Sequence, residues 1–574
     1  MKVVVVGGVA GGMSFAARAR RLAEDAEIVV LERDPYVSYA NCGLPYHLAD
    51  EITDRNALLL HTPSSLADSL ALDVRTGHEV LSIDPAARAV RVRERATGRE
   101  YGESFDALVL STGAAPIVPA IPGVDLPQVR ALRTVPDVDA LRALVDAGAR
   151  RAVVAGAGFI GLEVAEALRH RGLEVTVVDL ADQVLPPLDP EMAATVQAEL
   201  ERAGVQVRLS TAVTAVHPLP SGQDGQIGAA PSGVRVDLSD GTSQVADLVL
   251  LAVGVRPQSQ LAAEAGLALG PRGSIIVDDH LLTSAPGVYA VGDAIEVVDA
   301  VTGQPVSVPL AGPANRQGRA AANHLFGRPG GRATVLGTAI VRVFDTVAAA
   351  TGRSEKALAA AGIAHHVAHL HPGHHAGYYP GARPLHLKLV FAPDGRVLGA
   401  QATGSEGVDK RIDVIATAIR AGMTVDDLAD LELAYAPPFG SAKDPVNMAG
   451  FLAGNVLAGD LTLWRGRDLA GFAPGTVLLD VRSATEYAAG HLPGALNIPH
   501  TALRHRLAEV PTGHPVRVHC ASGFRSYLAL RVLRQHGFDD VASLSGGLTT
   551  LRLELPGLVL EQGAATSPMA TPAR

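Results

Sequence analysis

One arrangement occurs twice in this chain and restricts it to a small set of folds. A short apolar strand runs into a glycine-rich turn, a helix and a second strand. In the first copy Lys2–Val6 reads as a buried strand, Gly7–Gly12 as the turn, Gly11–Arg21 as the helix and Glu27–Glu32 as the next strand. In the second copy the same roles fall to Arg151–Val154, Gly156–Gly161, Leu162–Arg171 and Glu174–Asp179. Glycines at such a turn let the backbone approach a pyrophosphate, whose charge the helix N-terminus meets. Two copies predict two Rossmann-like domains and two dinucleotide sites.

The two turns predict different nucleotides. Gly156-Ala157-Gly158-Phe159-Ile160-Gly161 supplies the full G-x-G-x-x-G pattern, and Asp179 closes the following strand. Its carboxylate accepts from both ribose hydroxyls and repels a 2′-phosphate, and no arginine follows immediately, so NADH is preferred over NADPH. The expected contacts are Gly156, Gly158, Phe159, Ile160, Gly161, Glu163, Asp179 and Gly254. The first turn carries Val9 where the second glycine would fall, but Glu32, 25 residues after Gly7, offers a ribose acceptor. Thr283–Asp293 matches the flavin signature T-x6-A-x-G-D, in which the terminal aspartate binds the ribityl chain. With the Ser111–Ala114 turn ending the Phe105–Leu110 strand, FAD is expected at Gly7, Gly8, Ala10, Gly11, Gly12, Glu32, Arg33, Thr112, Gly113, Gly292 and Asp293. Asp247–Val253 is a further strand, and His217–Gly233, rich in Gly, Pro and Ser, reads as a mobile hairpin loop.

A length of 574 residues accommodates three or four domains. The net charge of −10 provides no general attraction to nucleic acid or an anionic membrane, so an anionic ligand needs a local basic cluster. No apolar stretch approaches the roughly 18 residues of a membrane span. The apolar N-terminal run is too short for a signal peptide and breaks into the first glycine turn. The chain has two cysteines, too few for a disulfide framework, which points to a reducing cytoplasm. Both lie in polar, glycine-containing segments: Cys42 in Ser38-Tyr39-Ala40-Asn41-Cys42-Gly43, and Cys520 in Cys520-Ala521-Ser522-Gly523-Phe524-Arg525-Ser526. Sulfur chemistry is the better reading than apolar packing for each.

The order of these motifs over residues 1–450 resembles the two-dinucleotide flavoprotein disulfide reductases. Members with a C-x4-C pair keep both cysteines on the helix after the second FAD strand, whereas this chain has only Cys42 there. Ser38–Cys42 resembles the S-F/Y-x-x-C motif of the single-cysteine branch, which contains coenzyme A-disulfide reductases, persulfide reductases, NADH oxidases and NADH peroxidases. Asn41-Cys42-Gly43-Leu44-Pro45-Tyr46 looks most like the coenzyme A-disulfide reductases. Ser14, Arg18 and Arg21 share one helix face by their spacing. The resemblance implies coenzyme A contacts there and at Ser38, Asn41, Asn315 and Lys443. Ala434–Pro445 is similar to the family's dimerisation domain, which implies a homodimer with shared active sites. Tyr435 and Tyr378, the latter favoured over Tyr379, are then expected near the partner's Cys42 as thiolate-protonating phenols. The six histidines of His365–His375 lack accompanying carboxylates or cysteines, and no metal is expected.

Asp480-Val481-Arg482, Glu486 and Gly490–Pro499 resemble a rhodanese (sulfurtransferase) domain, with Cys520–Arg525 as its active loop. Amides converging at a helix that starts near Ser526 would lower the thiol's pKa and stabilise a persulfide, with Arg525 adding positive charge. The expected organisation is an FAD-binding domain (1–113 and 256–328), an NAD(P)H-binding domain (114–255), an α+β dimerisation domain (329–456), a linker (457–474), an α/β rhodanese domain (475–561) and a disordered tail (562–574). The resemblance implies an NAD(P)H-driven reductase of coenzyme A disulfide, coenzyme A persulfide or polysulfide acting through Cys42, with Cys520 as sulfur carrier and coenzyme A as substrate or bound carrier. An NADH oxidase or peroxidase cycling Cys42 through sulfenic acid is the enzyme alternative. A redox-sensing adaptor without turnover is the third.

Overall fold

The computed structural model describes residues 1–219, 233–331 and 334–563. The chain divides into two compact units, residues 1–186 with 200–337, and residues 187–199 with 338–574.

The first unit is built on two five-stranded parallel sheets. One orders Val288–Ala290, Ala107–Leu110, Lys2–Val6, Glu27–Glu32 and Asp73–Thr76. The other orders Gln206–Arg208, Glu174–Val178, Arg151–Ala155, Leu248–Leu251 and Val129–Arg130. Val3, Val4, Val5, Leu108 and Val109 are fully buried, as expected of parallel strands covered on both faces. The second helix starts at Phe159 rather than Leu162, because Gly158 itself caps it. Of the expected hairpin loop, residues 220–232 lie outside the described residues; the flanking strands Val213–Pro218 and Val234–Leu238 pair antiparallel.

The second unit carries a five-stranded antiparallel sheet and a five-stranded parallel sheet. The antiparallel sheet runs Ala339–Val343, Thr346–Gly352, Val397–Gly404, Leu385–Phe391 and His366–Leu370, which leaves the histidine-bearing strand at its edge. The helices Val408–Ala421 and Pro445–Leu457 contribute Ile412, Ile415, Val446 and Ala449 to its core. The parallel sheet orders Leu463–Trp464, Val541–Leu544, Val516–His519, Val477–Asp480 and Leu496–Asn497. Its edge strand corrects an expectation: residues 457–474 are not a bare linker. Trp464 is buried there, and its indole N–H donates to the Val518 carbonyl at 3.2 Å. The composition of this segment hid one short, anchored strand. Of the expected tail, residues 564–574 lie outside the described residues.

Candidate active sites

A cavity of about 810 Å³ opens at the carboxyl ends of the first sheet's strands, and every expected FAD contact except Gly8 and Gly12 lines it. Those two shape the turn: the Gly8 amide donates to Glu32 Oε2 at 2.8 Å, and a Cβ on Gly12 would overlap the Gly7 carbonyl. The other Glu32 oxygen accepts from the Asp34 amide at 2.9 Å, fixing a buried carboxylate whose remaining lone pairs suit ribose hydroxyls. Burial pushes Glu32 up in pKa, and these amides oppose the shift. Burial also raises Asp293, against the attraction of Arg133. The Arg133 guanidinium faces the same cavity, reaches the Thr112 carbonyl at 3.4 Å, and is lowered by burial and by neighbouring Arg33. Arg133 belongs to no motif, and only the fold brings it beside Arg33. Two cations, a backbone open at the glycine turn and a ribose acceptor together fit FAD.

Cys42 stands in a single 3₁₀ turn, Asn41–Gly43, not in a longer helix. Ser38 just before it adopts φ +48°, uncommon for a residue with a Cβ. Its amide donates to the Gly8 carbonyl at 2.8 Å, tying the cysteine segment to the first glycine turn. The Cys42 amide donates to Asn41 Oδ1 at 3.1 Å. The residue is exposed, yet desolvation around its sulfur, then the carboxylates of Glu163 and Asp293, push the thiol up in pKa. Glu163 belongs to the helix after the second glycine turn and accepts from the Tyr46 hydroxyl at 3.3 Å. Groups from both nucleotide folds thus act on this sulfur.

The helices Ala10–Arg20 and Ala311–Leu325 pack closely where Gly318 meets Gly11. Along their seam the Ser14 hydroxyl donates to Asn315, and Arg18 Nε donates to Asn323 at 2.8 Å. Burial, then Arg319, Arg21 and Arg328, lowers the Arg18 pKa, which marks a four-arginine ridge on an acidic protein. Arg319 and Arg328 escaped the sequence reading, although Arg319 falls four residues after Asn315, on the same helix face. Asn41 lines the cavity described above. In the second unit Lys443 is exposed, and the exposed Tyr378 and Tyr435 share a 2.7 Å hydroxyl–hydroxyl bond. Tyr379 instead packs edge-on against His375.

The second glycine turn carries the features of its pattern. Gly156 has φ +112°, and a Cβ on Gly161 would overlap the Gly156 carbonyl. Asp179 accepts from the Ala157 amide at 2.5 Å and from the Ala181 amide at 2.8 Å. Leu180, 74% exposed, occupies the position next to Asp179, with exposed Ile160 and Val253 close in sequence to the turn's two arms. A glycine turn closed by a carboxylate held on backbone amides fits the adenosine half of a dinucleotide.

Cys520 is fully buried at the end of the Val516–His519 strand. Its Sγ receives the Gly523 amide at 3.2 Å and lies 3.5 Å from Ser526 Oγ. Ser543 donates to Ser526 at 2.8 Å, and Ser526 donates to the Gly523 carbonyl at 2.9 Å. The helix begins at Phe524, capped by Gly523 at φ +100°, two residues earlier than expected, so Arg525 and Ser526 lie in its first turn. Arg525 is not a free cation: both terminal nitrogens donate to Glu486 at 2.7 Å. This pairing draws the Glu486 carboxyl down to about 2 and raises Arg525. Asp480 is buried, braced by Arg482 at 2.6 Å and His519 at 3.4 Å, which explains the Asp-Val-Arg pattern as scaffolding. The histidine-rich segment holds no metal-like cluster among the described residues. His369 meets Glu191 and Ser545, and His371 meets Thr550 and His386.

Two nucleotide folds, a lone cysteine near both and a sulfur-binding loop define an oxidoreductase carrying a sulfurtransferase-type module. Residues 1–318 match the pyridine nucleotide-disulphide oxidoreductases, residues 338–445 match that family's dimerisation domain, and residues 469–553 match a rhodanese-like domain. The chain belongs to the pyridine nucleotide-disulphide oxidoreductase family, whose members are FAD- and NAD(H)-dependent flavoprotein enzymes, and adds a C-terminal rhodanese domain. It is similar to the solved structure of reduced Bacillus anthracis CoADR-RHD, with 44% identity, a TM-score of 0.93, and coverage of 98% of this chain and 99% of that one. An NAD-dependent persulfide reductase from A. fulgidus matches with 37% identity and a TM-score of 0.88, over 96% and 100% of the two chains. Coenzyme A disulfide reductase of Staphylococcus epidermidis is 35% identical, over 79% of this chain and 99% of the relative. An NADH oxidase of Methanocaldococcus jannaschii is 34% identical, over 78% and 98%.

Proposed function

We propose that this enzyme uses NADH to reduce coenzyme A disulfide, coenzyme A persulfide or polysulfide at Cys42, and that Cys520 carries sulfane sulfur as a persulfide. The carrying observation is a lone exposed thiol that feels groups of both nucleotide folds, in a unit that also bears an arginine ridge. FAD, when bound, supplies this site with the electron pair that NADH delivers. The chain's own part begins with Cys42, whose thiolate attacks one sulfur of the disulfide. The S–S bond breaks, one coenzyme A leaves as thiolate, and the other stays in a mixed disulfide until two electrons and a proton release it. The arginines at 18, 21, 319 and 328 suit the phosphates of coenzyme A, and the Ser14–Asn315 bond fixes the seam beside them. The Tyr378–Tyr435 hydroxyl pair suits protonation of a leaving thiolate in the partner subunit of a homodimer. The domain limits expected from the sequence, apart from the 457–474 linker, and a cytoplasmic setting belong to the same reading. Among the described residues no helix is long and apolar enough to cross a membrane.

A second reading has support from the M. jannaschii relative named an NADH oxidase: Cys42 cycling through sulfenic acid with oxygen or peroxide as acceptor. Steady-state NADH consumption with coenzyme A disulfide, coenzyme A persulfide, polysulfide, peroxide and oxygen separates the two. The expected result is the highest kcat/KM with a coenzyme A acceptor or polysulfide. A highest value with peroxide or oxygen overturns the first reading.

A further inference from the structure

The histidine-rich strand has a use that metal binding does not supply. His366–Leu370 is an edge strand, and one of its backbone donors is met from the parallel sheet's domain: the His369 amide donates to Ser545 Oγ at 3.3 Å. The Ser545 hydroxyl also meets His369 Nδ1 at 2.9 Å, and His369 Nε2 meets Glu191 at 2.9 Å. Glu191 is held by the fully buried Lys388, 2.5 Å away. Two residues along, His371 Nε2 meets Thr550 Oγ1 at 2.8 Å, and its other nitrogen meets His386 Nδ1 at 2.9 Å.

The segment 545–550 gripped by these histidines has a second face, and that face is the Cys520 loop. The Leu548 amide donates to the Cys520 carbonyl at 2.9 Å, and the Thr549 amide and hydroxyl donate to the Ala521 carbonyl at 3.0 Å each. The two glycines between the faces leave no slack. Gly546, at φ +64°, has His369 Cβ and His371 Nε2 2.9 Å from where a Cβ would stand. Gly547, at φ +62°, has the Cys520 and Ala521 carbonyls 2.6 Å from the same point. A displacement of the histidine strand therefore reaches the backbone that aims the Gly523 amide at the sulfur.

We propose that His369 and His371 are positioning residues for the Cys520 loop, acting through Ser545, Thr550 and the Gly546–Gly547 turn. The sulfur-carrying domain is thus pre-organised by the sheet of the neighbouring domain rather than by its own residues alone. Burial lowers His369, His386 and His371, the last to about 3, so these rings serve as neutral hydrogen-bonding struts. The proposal rests on the sulfur-transfer reading of Cys520. In that reaction the Cys520 thiolate bonds the outer sulfur of thiosulfate, the S–S bond breaks, and sulfite leaves with the electron pair. Cyanide then takes the sulfur as thiocyanate, and the thiolate is restored.

The test compares the full-length holoenzyme with Thr550→Val, Thr550→Ser and Ser545→Ala, following thiosulfate-to-cyanide transfer against pH. Thr550→Val and Ser545→Ala should lower kcat about tenfold and move the acidic limb up by about one pH unit, with KM for thiosulfate changed less than about twofold. Thr550→Ser, which keeps the hydroxyl, should stay within about twofold of the parent. NADH-driven reduction should be equal in all four proteins, which also reports correct folding. A Thr550→Val enzyme with the parent's pH profile overturns the proposal, as does a Thr550→Ser enzyme impaired as much as Thr550→Val. Absence of a Cys520 persulfide in the parent, read by intact mass after thiosulfate, would instead sink the sulfur-transfer reading. The rate and pH dependence of Cys520 alkylation across the same variants then decide the positioning role.

Discussion

The two cysteine loops solve opposite problems with similar materials. Cys42 is exposed, follows a residue held at positive φ, and is surrounded by carboxylates that discourage its thiolate. Cys520 is buried, receives an amide on its sulfur, and is backed by two serine hydroxyls in series. The first loop is incomplete by itself: its thiolate needs the charge of bound ligands or cofactor to become favourable. The second has its sulfur partners within the protein alone, which suits the storage of an anionic persulfide proposed above. On the proposed reading, the redox thiol at Cys42 answers to its cofactor, whereas the carrier thiol at Cys520 does not.

The sharpest way to break this contrast is to remove each sulfur separately. Cys42→Ser should lower NADH-driven disulfide reduction by at least about 10³-fold while FAD absorbance stays at the parent level. Cys520→Ser should leave that reduction intact and abolish thiosulfate sulfurtransferase activity. Equal loss of both activities in either variant would show one coupled site instead of two. Backbone change at the carrier loop should rank next. Gly523→Ala forces a side chain into φ +100° and disturbs the amide that meets the sulfur. The expected cost is about 1–3 kcal/mol, read as a ten- to hundredfold fall in sulfur transfer, without an effect on reduction at Cys42.

Much of this was legible in the sequence because glycine turns and strand ends are local. Lys2–Val6 and Glu27–Glu32 stand where the pattern put them, Glu32 closes its strand, and Asp179 directly follows the strand Glu174–Val178. What could not be read is what only packing brings together. Arg133 reaches the FAD cavity without a motif, and Arg319 on a helix and Arg328 just beyond its end join Arg18 and Arg21 from about 300 residues away. Arg525 looked like a free cation because its partner Glu486 lies 39 residues upstream. The roles of His369 and His371 were hidden because their partners, Glu191, Ser545 and Thr550, come from both directions along the chain.

The nucleotide site permits a smaller change with a clear sign. Leu180 follows Asp179 in the chain and is mostly exposed. Leu180→Arg should improve kcat/KM for NADPH about tenfold while Asp179 keeps NADH usable, measured as the ratio of the two cofactors. An unchanged ratio would place the ribose elsewhere.

The smallest expected effect concerns the Arg525–Glu486 pair, the one feature of the carrier loop that works against an incoming anion. Glu486 has its carboxyl drawn down to about 2, chiefly by Arg525. Because its folded pKa lies below the ordinary carboxylate value of 4.5, the stability it adds is complete above about pH 4.5 and disappears as pH falls through about 2. Both side chains are partly exposed, so solvent screening holds that contribution to about 1 kcal/mol or less. Glu486→Gln should therefore barely move Tm at neutral pH and should flatten the acid limb of the Tm–pH curve. The same change removes the carboxylate that competes for a guanidinium already interacting with Cys520, and on the sulfur-transfer reading should lower KM for thiosulfate about threefold with kcat nearly constant. A raised KM would mean that Glu486 orients Arg525 for the anion instead of competing with it, and the carrier loop would then be complete only as a loop–carboxylate pair.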